Sequence, residues 1–538
     1  MSNQRPIGVG NLTELTQDIF DESTTDNNVG FKSLGLTNLP VTFEEAQHES
    51  GTGIYQILLL IVCGIVNMSC SISTTAISLI TPAAEVDLNL NSTTKGVLNG
   101  APFLGMVFGA YFWGVCGDMK GRRFVILASM GMDALCSVLS SLTQDALYFL
   151  IIRIGNGFAI IGATCMIYVY FGEFLSPNKR DIYLLSLEIF WVLGIIAGQG
   201  IAMVIIPSDL VLLSNTYIVF NAWRAFIFLS SIPSFIGFIL IYLYPESPRY
   251  LMYRGRMIES RDILEKIYIV NNKNTVASYP VTSFTQTYSA IGFNRAYIEG
   301  IPFMTNLKIR LITLKNGHKT LFTSYGRKII VTSVIEFCLM ASYIAVLLWL
   351  PELFSRYYEF KKKRLEDVYI CTASEWVLKY QSNDTVREVS ADAYFAAMLV
   401  SLSTVPPIII TGILIKYVNK KILLCMSCGI PIISVALITI TKNDLQAEIM
   451  CCIFEGFTTL TEPILFVTMV ELFPSNVKGV AFSMTVMIGR LGAIFGIIVF
   501  GILIDKNCTL TFYLIAALLF IAFLATGFLP RLKIGGSH

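Results

Sequence analysis

Long apolar runs alternate with short polar connections along most of the chain. Twelve runs are long enough to cross a bilayer, because a helix needs about twenty mostly apolar residues to span the roughly 30 Å hydrocarbon core. We number them spans 1 to 12, and they lie at about 54–80, 96–116, 124–142, 147–171, 183–206, 222–243, 328–350, 393–415, 422–440, 446–470, 479–504 and 509–529. They lack the period-two alternation of a membrane β-barrel strand, so the pattern predicts an all-α polytopic membrane protein.

The overall composition supports this class. Of the 538 residues, 54% are hydrophobic and 14% are charged, and the mean hydropathy is +0.66, which is too apolar for a soluble enzyme. The net charge of +2 gives no reason to expect a nucleic-acid partner. The three histidines lie outside the spans and form no catalytic cluster with other residues, so we expect neither enzyme activity nor a cofactor or metal.

Basic residues are concentrated in the connections that follow even-numbered spans. The short connections after spans 2, 4, 8 and 10 hold Lys120, Arg122, Arg123, Lys179, Arg180, Lys416, Lys420, Lys421 and Lys478. Because cytosolic connections of membrane proteins are enriched in Lys and Arg, this bias predicts that both chain ends are cytosolic. We expect a multi-pass protein, monomeric in the lipid bilayer, of the plasma membrane or an intracellular vesicle membrane.

The same pattern divides the chain into segments. No cleavable signal pattern precedes span 1, which is therefore expected to be an uncleaved anchor. The predicted segments are a cytosolic tail (1–50), a first six-helix half (51–243), a cytosolic linker (244–327), a second half (328–530) that includes a luminal loop (351–392), and a cytosolic tail (531–538).

The predicted luminal or extracellular side carries candidate modification sites. Glycosylation sequons occur there at Asn91, Asn383 and Asn507. Asn383 lies well inside a long loop and is the first candidate, Asn91 is the second, and Asn507 is expected to be too close to the bilayer. Cys371 and Cys508 are also predicted to face this side, but the sequence does not establish a disulfide between them.

The two halves of the chain repeat each other at one offset. The segment "GVCGDMKGRR" at 114 corresponds to "GILIKYVNKK" at 412, and "GEFLSPNKR" at 172 corresponds to "VELFPSNVK" at 470. Glu173 and Glu471 are 298 positions apart, as are Gly114 and Gly412. A shared offset indicates duplication of a six-helix unit, which is the plan of transporters that bind solute between two halves.

The turn between spans 2 and 3 is a candidate gate. Its glycines permit a tight reversal, Asp118 is expected against a helix N-terminus, and Arg122 and Arg123 are expected to pair with Glu173 at the end of span 4. Pairs that form only when the cytosolic side is closed would bias a two-state equilibrium. The alternative is that the basic residues only anchor the turn on the cytosolic side.

The second copy of the turn departs from the first. Lys416 replaces the acidic residue and Asn419 replaces the last glycine. Glu471 remains and is expected to pair with Lys420 or Lys421. The contribution of this copy to gating is therefore left open.

Several motifs resemble one known family. "GDMKGRR" and "PESPRYL" (245–251) resemble signatures of the major facilitator superfamily in its sugar-porter and organic-ion branches. "TFEEA", "PAAEVDLNLNSTTKGVLNG", "FGEFLSPNKR", "AWRAF", "WLPELFSRY" and "VELFPS" are similar to the synaptic vesicle glycoprotein 2 family and its insect relatives. The resemblance covers about 41–530 and implies a major facilitator fold of twelve helices with alternating access. It also implies that Glu246 and Arg249, within "PESPRYL", belong to the gate.

Ionisable residues inside the spans are candidates for a solute site. Each costs at least about 2.5–3.5 kcal/mol at a helix centre, so each needs a partner or a function. They are Asp133, Glu188, Glu336, Glu455, Glu462 and Arg490. Arg490 is expected either to pair internally with Glu336 or Glu462 or to have a solute or proton role, such as binding an anionic solute, and the sequence leaves both open.

Aromatic residues complete the candidate cavity. They are Tyr168, Phe190, Trp191 and Tyr343, and by resemblance Trp191 corresponds to the family's cavity tryptophan in span 5. An aromatic face suits apolar or cationic ligands. Vertebrate relatives carry acidic residues in span 1 where this chain has Cys70, Ser71 and Ser73, and their tryptophan in span 10 is replaced by Glu462.

These observations predict a secondary transporter of a small organic solute, driven by a gradient, with proton or ion coupling left open. Glu336, Glu462 and Arg490 would set the charge preference, and Trp191 would stack against the solute. The alternative is a receptor or vesicle scaffold that keeps the fold without transporting. Its partners would bind the luminal loop and the cytosolic segments.

Overall fold

The structure is a computed structural model. It describes residues 41–208, 211–214, 219–272, 279–281, 303–364, 368–380, 390–414 and 417–530. Within these residues it contains twelve helices long and apolar enough to cross a membrane.

The first half holds spans 1 to 6 and several short elements. Its helices are α1 (Phe43–Glu49), α2 (Ile54–Ala84), α3 (Ser92–Lys120), α4 (Arg122–Leu142), α5 (Ala146–Gly172), α6 (Pro177–Ile205) and α7 (Ala222–Leu243). A short antiparallel pair, β1 (Val211–Ser214) and β2 (Val219–Asn221), precedes α7 and was not predicted from the sequence. Spans 1 to 6 are α2 to α7.

The second half begins after two linker helices. These are α8 (Pro248–Tyr253) and α9 (Met257–Asn271). The remaining helices are α10 (Phe303–Arg364), α11 (Ile370–Tyr380), α12 (Ala391–Leu402), α13 (Val405–Leu414), α14 (Lys420–Ile438), α15 (Asp444–Leu472), α16 (Ser475–Leu503) and α17 (Cys508–Gly527). Span 7 lies in α10, span 8 is formed by α12 with α13, and spans 9 to 12 are α14 to α17.

Polar residues at the connections fix where several spans begin. The side chains of Asn91, Asp145 and Asn507 accept hydrogen bonds from backbone N–H groups in the first turns of α3, α5 and α17. Such caps satisfy donors that a helix leaves unpaired at its start. The three caps mark the positions at which spans 2, 4 and 12 begin.

Each set of six spans packs mainly with itself, and a few helices join the two halves. Span 2 packs against span 11, span 5 against span 8, and span 1 against span 7. The closest of these contacts is between spans 2 and 11, where a Cβ on Gly501 would lie 2.6 Å from the carbonyl oxygen of Ser92. Small residues there allow the two halves to meet backbone to backbone.

The segment 351–392 contains more helix than the sequence suggested. Helix α10, which holds span 7, continues past residue 350 through Pro351 to Arg364. Helix α11 follows and is joined to the start of span 12 by a disulfide between Cys371 and Cys508. We call the end of the bundle that carries this bond the disulfide face, and the end that carries residues 114–123 the basic face.

Candidate functional site

The turn between spans 2 and 3 is held by a carboxylate from the linker. Gly121 separates α3 from α4 with φ +107°, and the space that a Cβ would need there is filled by the Glu246 carboxylate. One oxygen of Glu246 accepts hydrogen bonds from the backbone N–H groups of Arg122 (3.1 Å) and Arg123 (3.0 Å). Glu246 thus binds the N-terminus of span 3, where a negative charge is favoured.

Asp118 was expected at that N-terminus, and the structure corrects this expectation. Helix α3 continues to Lys120, so Asp118 lies in its last turn, where the helix dipole disfavours an anion. The guanidinium of Arg122 lies 3.3 Å from its carboxylate and offsets that charge.

Arg122 and Arg123 have different partners. The Nε atom of Arg122 lies 3.3 Å from Oε1 of Glu173. Arg123, expected to pair with the same carboxylate, instead donates to the backbone carbonyl oxygens of Tyr242 (2.6 Å) and Ile241 (3.4 Å). The last carbonyls of a helix have no partner within the helix, and Arg123 satisfies two of them at the end of span 6.

Glu173 is buried beside Arg122, with which it forms an ion pair. Its side chain is 11% exposed, and its backbone carbonyl accepts a hydrogen bond from Gln47 of α1. Burial raises the pKa of the Glu173 carboxyl above its usual value near 4.5, while Arg122 opposes that change. The linker also ties α1 to this face, because Arg249 forms an ion pair with Glu44 at 2.9 Å.

The second copy of the turn forms the equivalent pair. Lys420, at the start of span 9, forms an ion pair with Glu471 near the end of span 10. Lys421 donates to the carbonyl oxygens of Gly527 (2.8 Å) and Leu529 (2.7 Å). The Arg122–Glu173 and Lys420–Glu471 pairs each lie within one half, so they strengthen the two halves separately.

A network of buried charges joins the two halves at the disulfide face. The ammonium group of Lys95 lies 2.9 Å from Glu85 and 3.0 Å from Glu352, and the Lys95 side chain is fully buried. Arg356 pairs with Glu352 and with Asp505, each at 2.9 Å. Arg356 also donates to the hydroxyl groups of Ser92 in span 2 and Ser374 in α11.

None of the residues of this network was predicted from the sequence to have a function. Glu352 and Arg356 stand within the quoted segment "WLPELFSRY" at a spacing of four residues, which places them on one face of a helix. Opposite charges at that spacing, directly after an apolar span, were the available signal.

A second cluster of polar residues lies inside the spans. In the first half, the Asn67 amide donates to the hydroxyl oxygen of Tyr168 (3.1 Å) and to the carbonyl oxygen of Leu187 (2.8 Å). The Tyr168 hydroxyl then donates to Glu188 at 2.9 Å. Glu188 therefore has a fixed partner in span 4.

In the second half, Glu336, Glu462 and Arg490 lie close together. Glu462 interacts electrostatically with Arg490, with Glu336 and, across the interface, with Glu188. The internal ion pair, one of the two alternatives for Arg490, is not formed, since no carboxylate in the described part of the chain lies within 4.0 Å of its guanidinium nitrogens. The Arg490 guanidinium instead lies 3.9 Å from the sulfur of Met340.

The aromatic candidates occupy different environments. Trp191 is half-buried against an apolar core to which both halves contribute. The ring of Phe190 packs on Gly64, since a Cβ there would lie 2.5 Å from ring atoms. Tyr343 is buried and lies within electrostatic reach of Glu188, Glu455 and Glu462.

Asp133 belongs to a separate buried cluster in the first half. Its carboxylate accepts hydrogen bonds from Ser73 (2.7 Å), Asn156 (2.5 Å) and Ser234.

The two candidate glycosylation sites lie in different parts of the chain. Asn91 is exposed at the disulfide face, and its side chain accepts a hydrogen bond from the Thr94 N–H at 2.8 Å as the cap of span 2. Asn383 lies outside the residues that the structure describes.

Comparison with known proteins identifies relatives over much of the chain. Residues 41–355 match the family model described as "Sugar (and other) transporter". Human synaptic vesicle glycoprotein 2B is 29% identical over 339 residues, which cover 60% of this chain and 49% of that protein. Mouse synaptic vesicle glycoprotein 2C is 32% identical over 231 residues, covering 43% of this chain and 32% of that protein. The chain thus spans about half the length, or less, of these curated relatives.

The architecture also matches solved structures. A partially occluded, inward-open structure of the xylose transporter XylE from E. coli superposes with a TM-score of 0.64. It is 16% identical and covers 89% of this chain and 98% of that one. At this level of identity the likeness concerns the fold, which is that of the major facilitator superfamily with two six-helix halves.

Proposed function

The chain belongs to the sugar (and other) transporter family, and from this premise we propose that it is a secondary transporter that moves a small organic solute across the membrane by alternating access. The solute binds between the two halves, and the halves rock about it. A gradient drives the cycle. The carboxyl groups inside the spans would take part if transport is coupled to protons or to another ion.

The observation that carries this proposal is the network around Lys95. Its ion pairs connect spans 1 and 2 with span 7. The complete set can form only when the two halves are in contact at the disulfide face, so it stabilises the arrangement in which that face is closed. Opening that face separates Lys95 from Glu352, and both groups then reach water. A set of contacts present in only one of two arrangements is what biases a two-state equilibrium.

The ion pairs at the basic face, unlike those around Lys95, do not join the two halves. The pairs around Arg122 and Lys420 lie within single halves and are compatible with either arrangement. We therefore assign these residues to keeping the basic ends of the halves rigid. The halves are in direct contact on this side, where the hydroxyl oxygen of Tyr111 in span 2 lies 3.2 Å from Nε2 of His318 in α10.

The orientation is part of the proposal. Basic connections favour a cytosolic location for the basic face and for both termini. A disulfide on the opposite face favours an oxidising compartment there, since disulfides persist in lumens and outside cells. Asn383 is then the first glycosylation candidate, because the Asn91 side chain is used as a helix cap.

A transport measurement tests the proposal. Purified full-length protein in proteoliposomes is assayed by counterflow with neutral sugars, organic cations and organic anions. Accumulation of one class above protein-free liposomes, with Asp262→Asn unchanged as a surface control, is the expected result. No accumulation of any class by a folded protein contradicts transport.

A receptor or scaffold that keeps the fold is the second candidate. The observation that favours it is the second copy of the turn, where Asn419 and Lys416 stand in place of Gly121 and Asp118. Failure of counterflow together with binding of a protein partner would support this candidate.

A further inference from the structure

The inner carboxyls of the two halves face each other across the interface. Glu188 of span 5 and Glu462 of span 10 belong to different halves, yet their carboxylates interact electrostatically. Both residues are partly accessible although each lies well inside its span. They therefore border a space between the halves.

The polar atoms around this space are incompletely paired. Glu336 is 1% exposed, and its Oε2 has no hydrogen-bond partner within the described residues. Its side chain lies against Gly489, directly beside Arg490, where a Cβ would be 2.7 Å from Cγ of Glu336. Oδ1 of the fully buried Asn67 likewise has no partner in the described part of the chain. Buried acceptors without donors favour a ligand that supplies positive charge or N–H groups.

The charges at this space are unequal. Three carboxyl groups, from Glu188, Glu336 and Glu462, converge with one guanidinium, from Arg490. One guanidinium can balance only one carboxylate. A cation between the halves would relieve the repulsion among the remaining acids, whereas an anion would increase it.

The neighbouring aromatic residues indicate the kind of cation. Trp191 follows Glu188 by three residues and so lies on the same face of span 5. Tyr343 lies within electrostatic reach of both Glu188 and Glu462. Aromatic rings beside carboxylates suit alkylated ammonium groups, which are attracted to ring faces and hold water weakly.

We infer that the space between Glu188 and Glu462 binds an organic cation, an amine or a quaternary ammonium compound. This inference rests on the proposed function, because it names the solute class of the proposed transporter. Glu188 and Glu462 bind the charge from opposite halves, and Trp191 lies against its apolar substituents. Arg490 balances one of the three carboxylates, and the other two are left to attract the cation.

The test uses matched probes that differ only in charge. Choline is compared with its uncharged carbon isostere, and N-methyl-phenylpyridinium with its uncharged biphenyl isostere, by calorimetry on purified full-length protein. At least one cation should bind about tenfold more tightly than its isostere or better, as expected for a charge in a partly desolvated site. Glu462→Gln and Glu188→Gln should each remove about tenfold of the cation affinity and leave the neutral probes unchanged.

Two further variants make the outcome decisive. Arg490→Met should raise cation affinity, because it removes the competing positive charge, and Asp262→Asn on the linker should leave it unchanged. The inference is overturned if the charged and neutral probes bind equally well. It is also overturned if no cation binds although the protein is folded, as shown by its thermal unfolding. Binding of benzoate that Arg490→Met abolishes overturns it as well.

The inference and the proposed function fail in different ways. Cation binding that depends on Glu462 without any counterflow would contradict transport and leave the site assignment standing. Counterflow of a neutral sugar that is unaffected by Glu462→Gln would contradict the site assignment and leave transport standing.

Discussion

The ammonium group of Lys95 lies between two carboxylates from different halves, 2.9 Å from Glu85 and 3.0 Å from Glu352. Glu85 follows span 1, whereas Glu352 extends span 7, so this lysine bridges the halves at the disulfide face. Its complete burial means that water does not screen the interaction. Closure of this face therefore depends on a specific charged contact as well as on helix packing.

A double-mutant cycle measures this contact. Lys95→Met and Glu352→Gln should each lower thermal stability, and the double variant should be less destabilised than the sum by at least about 1 kcal/mol. The matched control is Lys361 with Asp444, an ion pair at 2.6 Å on the same face that is about one-third exposed and should couple weakly. Equal coupling in both cycles would remove the distinction between the two pairs.

Arg122→Ala should be more damaging than Arg123→Ala. The first removes the ion-pair partner of the buried Glu173 carboxyl, at a cost on the order of 3 kcal/mol. The second removes hydrogen bonds to two backbone carbonyls, at about 1 kcal/mol. Arg256→Ala, which affects an exposed pair with Glu259, serves as the control. Thermal unfolding in detergent gives the ranking, and a larger loss for Arg123 would contradict it.

Replacement of the turn glycines should have opposite effects within ten residues. Gly121→Ala should destabilise by about 1–3 kcal/mol, since its φ of +107° is strained for alanine. Its Cβ would also collide with Glu246. Gly114→Ala lies in a helix with no atom within 4 Å of the new Cβ, so it should be neutral or stabilising by up to about 1 kcal/mol. Similar unfolding temperatures for the two variants would show that the turn tolerates a side chain.

The pH dependence of stability should carry the signature of Glu173. Its folded-state pKa is raised by burial, so the folded protein holds this proton more readily than the unfolded chain does. The stability that this proton provides is present below about pH 4.5 and is lost as pH rises through the folded-state pKa. Glu173→Gln lacks that loss, so wild type should become less stable relative to the variant as pH rises. The opposite trend would mean that Arg122 outweighs burial.

The spans and the repeat were predictable from sequence because both depend on local composition. Twelve apolar runs predicted twelve spans, and the shared offset of 298 placed Glu173 and Glu471 in equivalent positions. The structure pairs each with a basic residue at the start of the preceding odd-numbered span. Patterns of this kind can be recognised in a sequence without knowledge of its tertiary contacts.

The contacts between halves were not predictable, since they join residues far apart in the chain. Lys95 and Glu352 are 257 positions apart, and Cys371 and Cys508 are 137 apart. The partners of Arg123 were also missed. They are backbone carbonyl groups, which every residue has, so the residue types do not show which of them will accept a hydrogen bond. For Arg490 the sequence left an internal ion pair and a solute role open, and in the structure it lies near Glu336 and Glu462 without a direct ion pair.

Distances across the two faces test alternating access most directly. Spin labels at Val86 and Lys506 report on the disulfide face, and labels at Lys120 and Tyr417 report on the basic face, all at exposed positions. The measurement is double electron–electron resonance in lipid nanodiscs, with the free cysteines replaced. In wild type the Val86–Lys506 distance should be short, and in Lys95→Met a longer population should appear while the Lys120–Tyr417 distance shortens. A single unchanged distance on both faces, in wild type and in Lys95→Met, would contradict the two-state account.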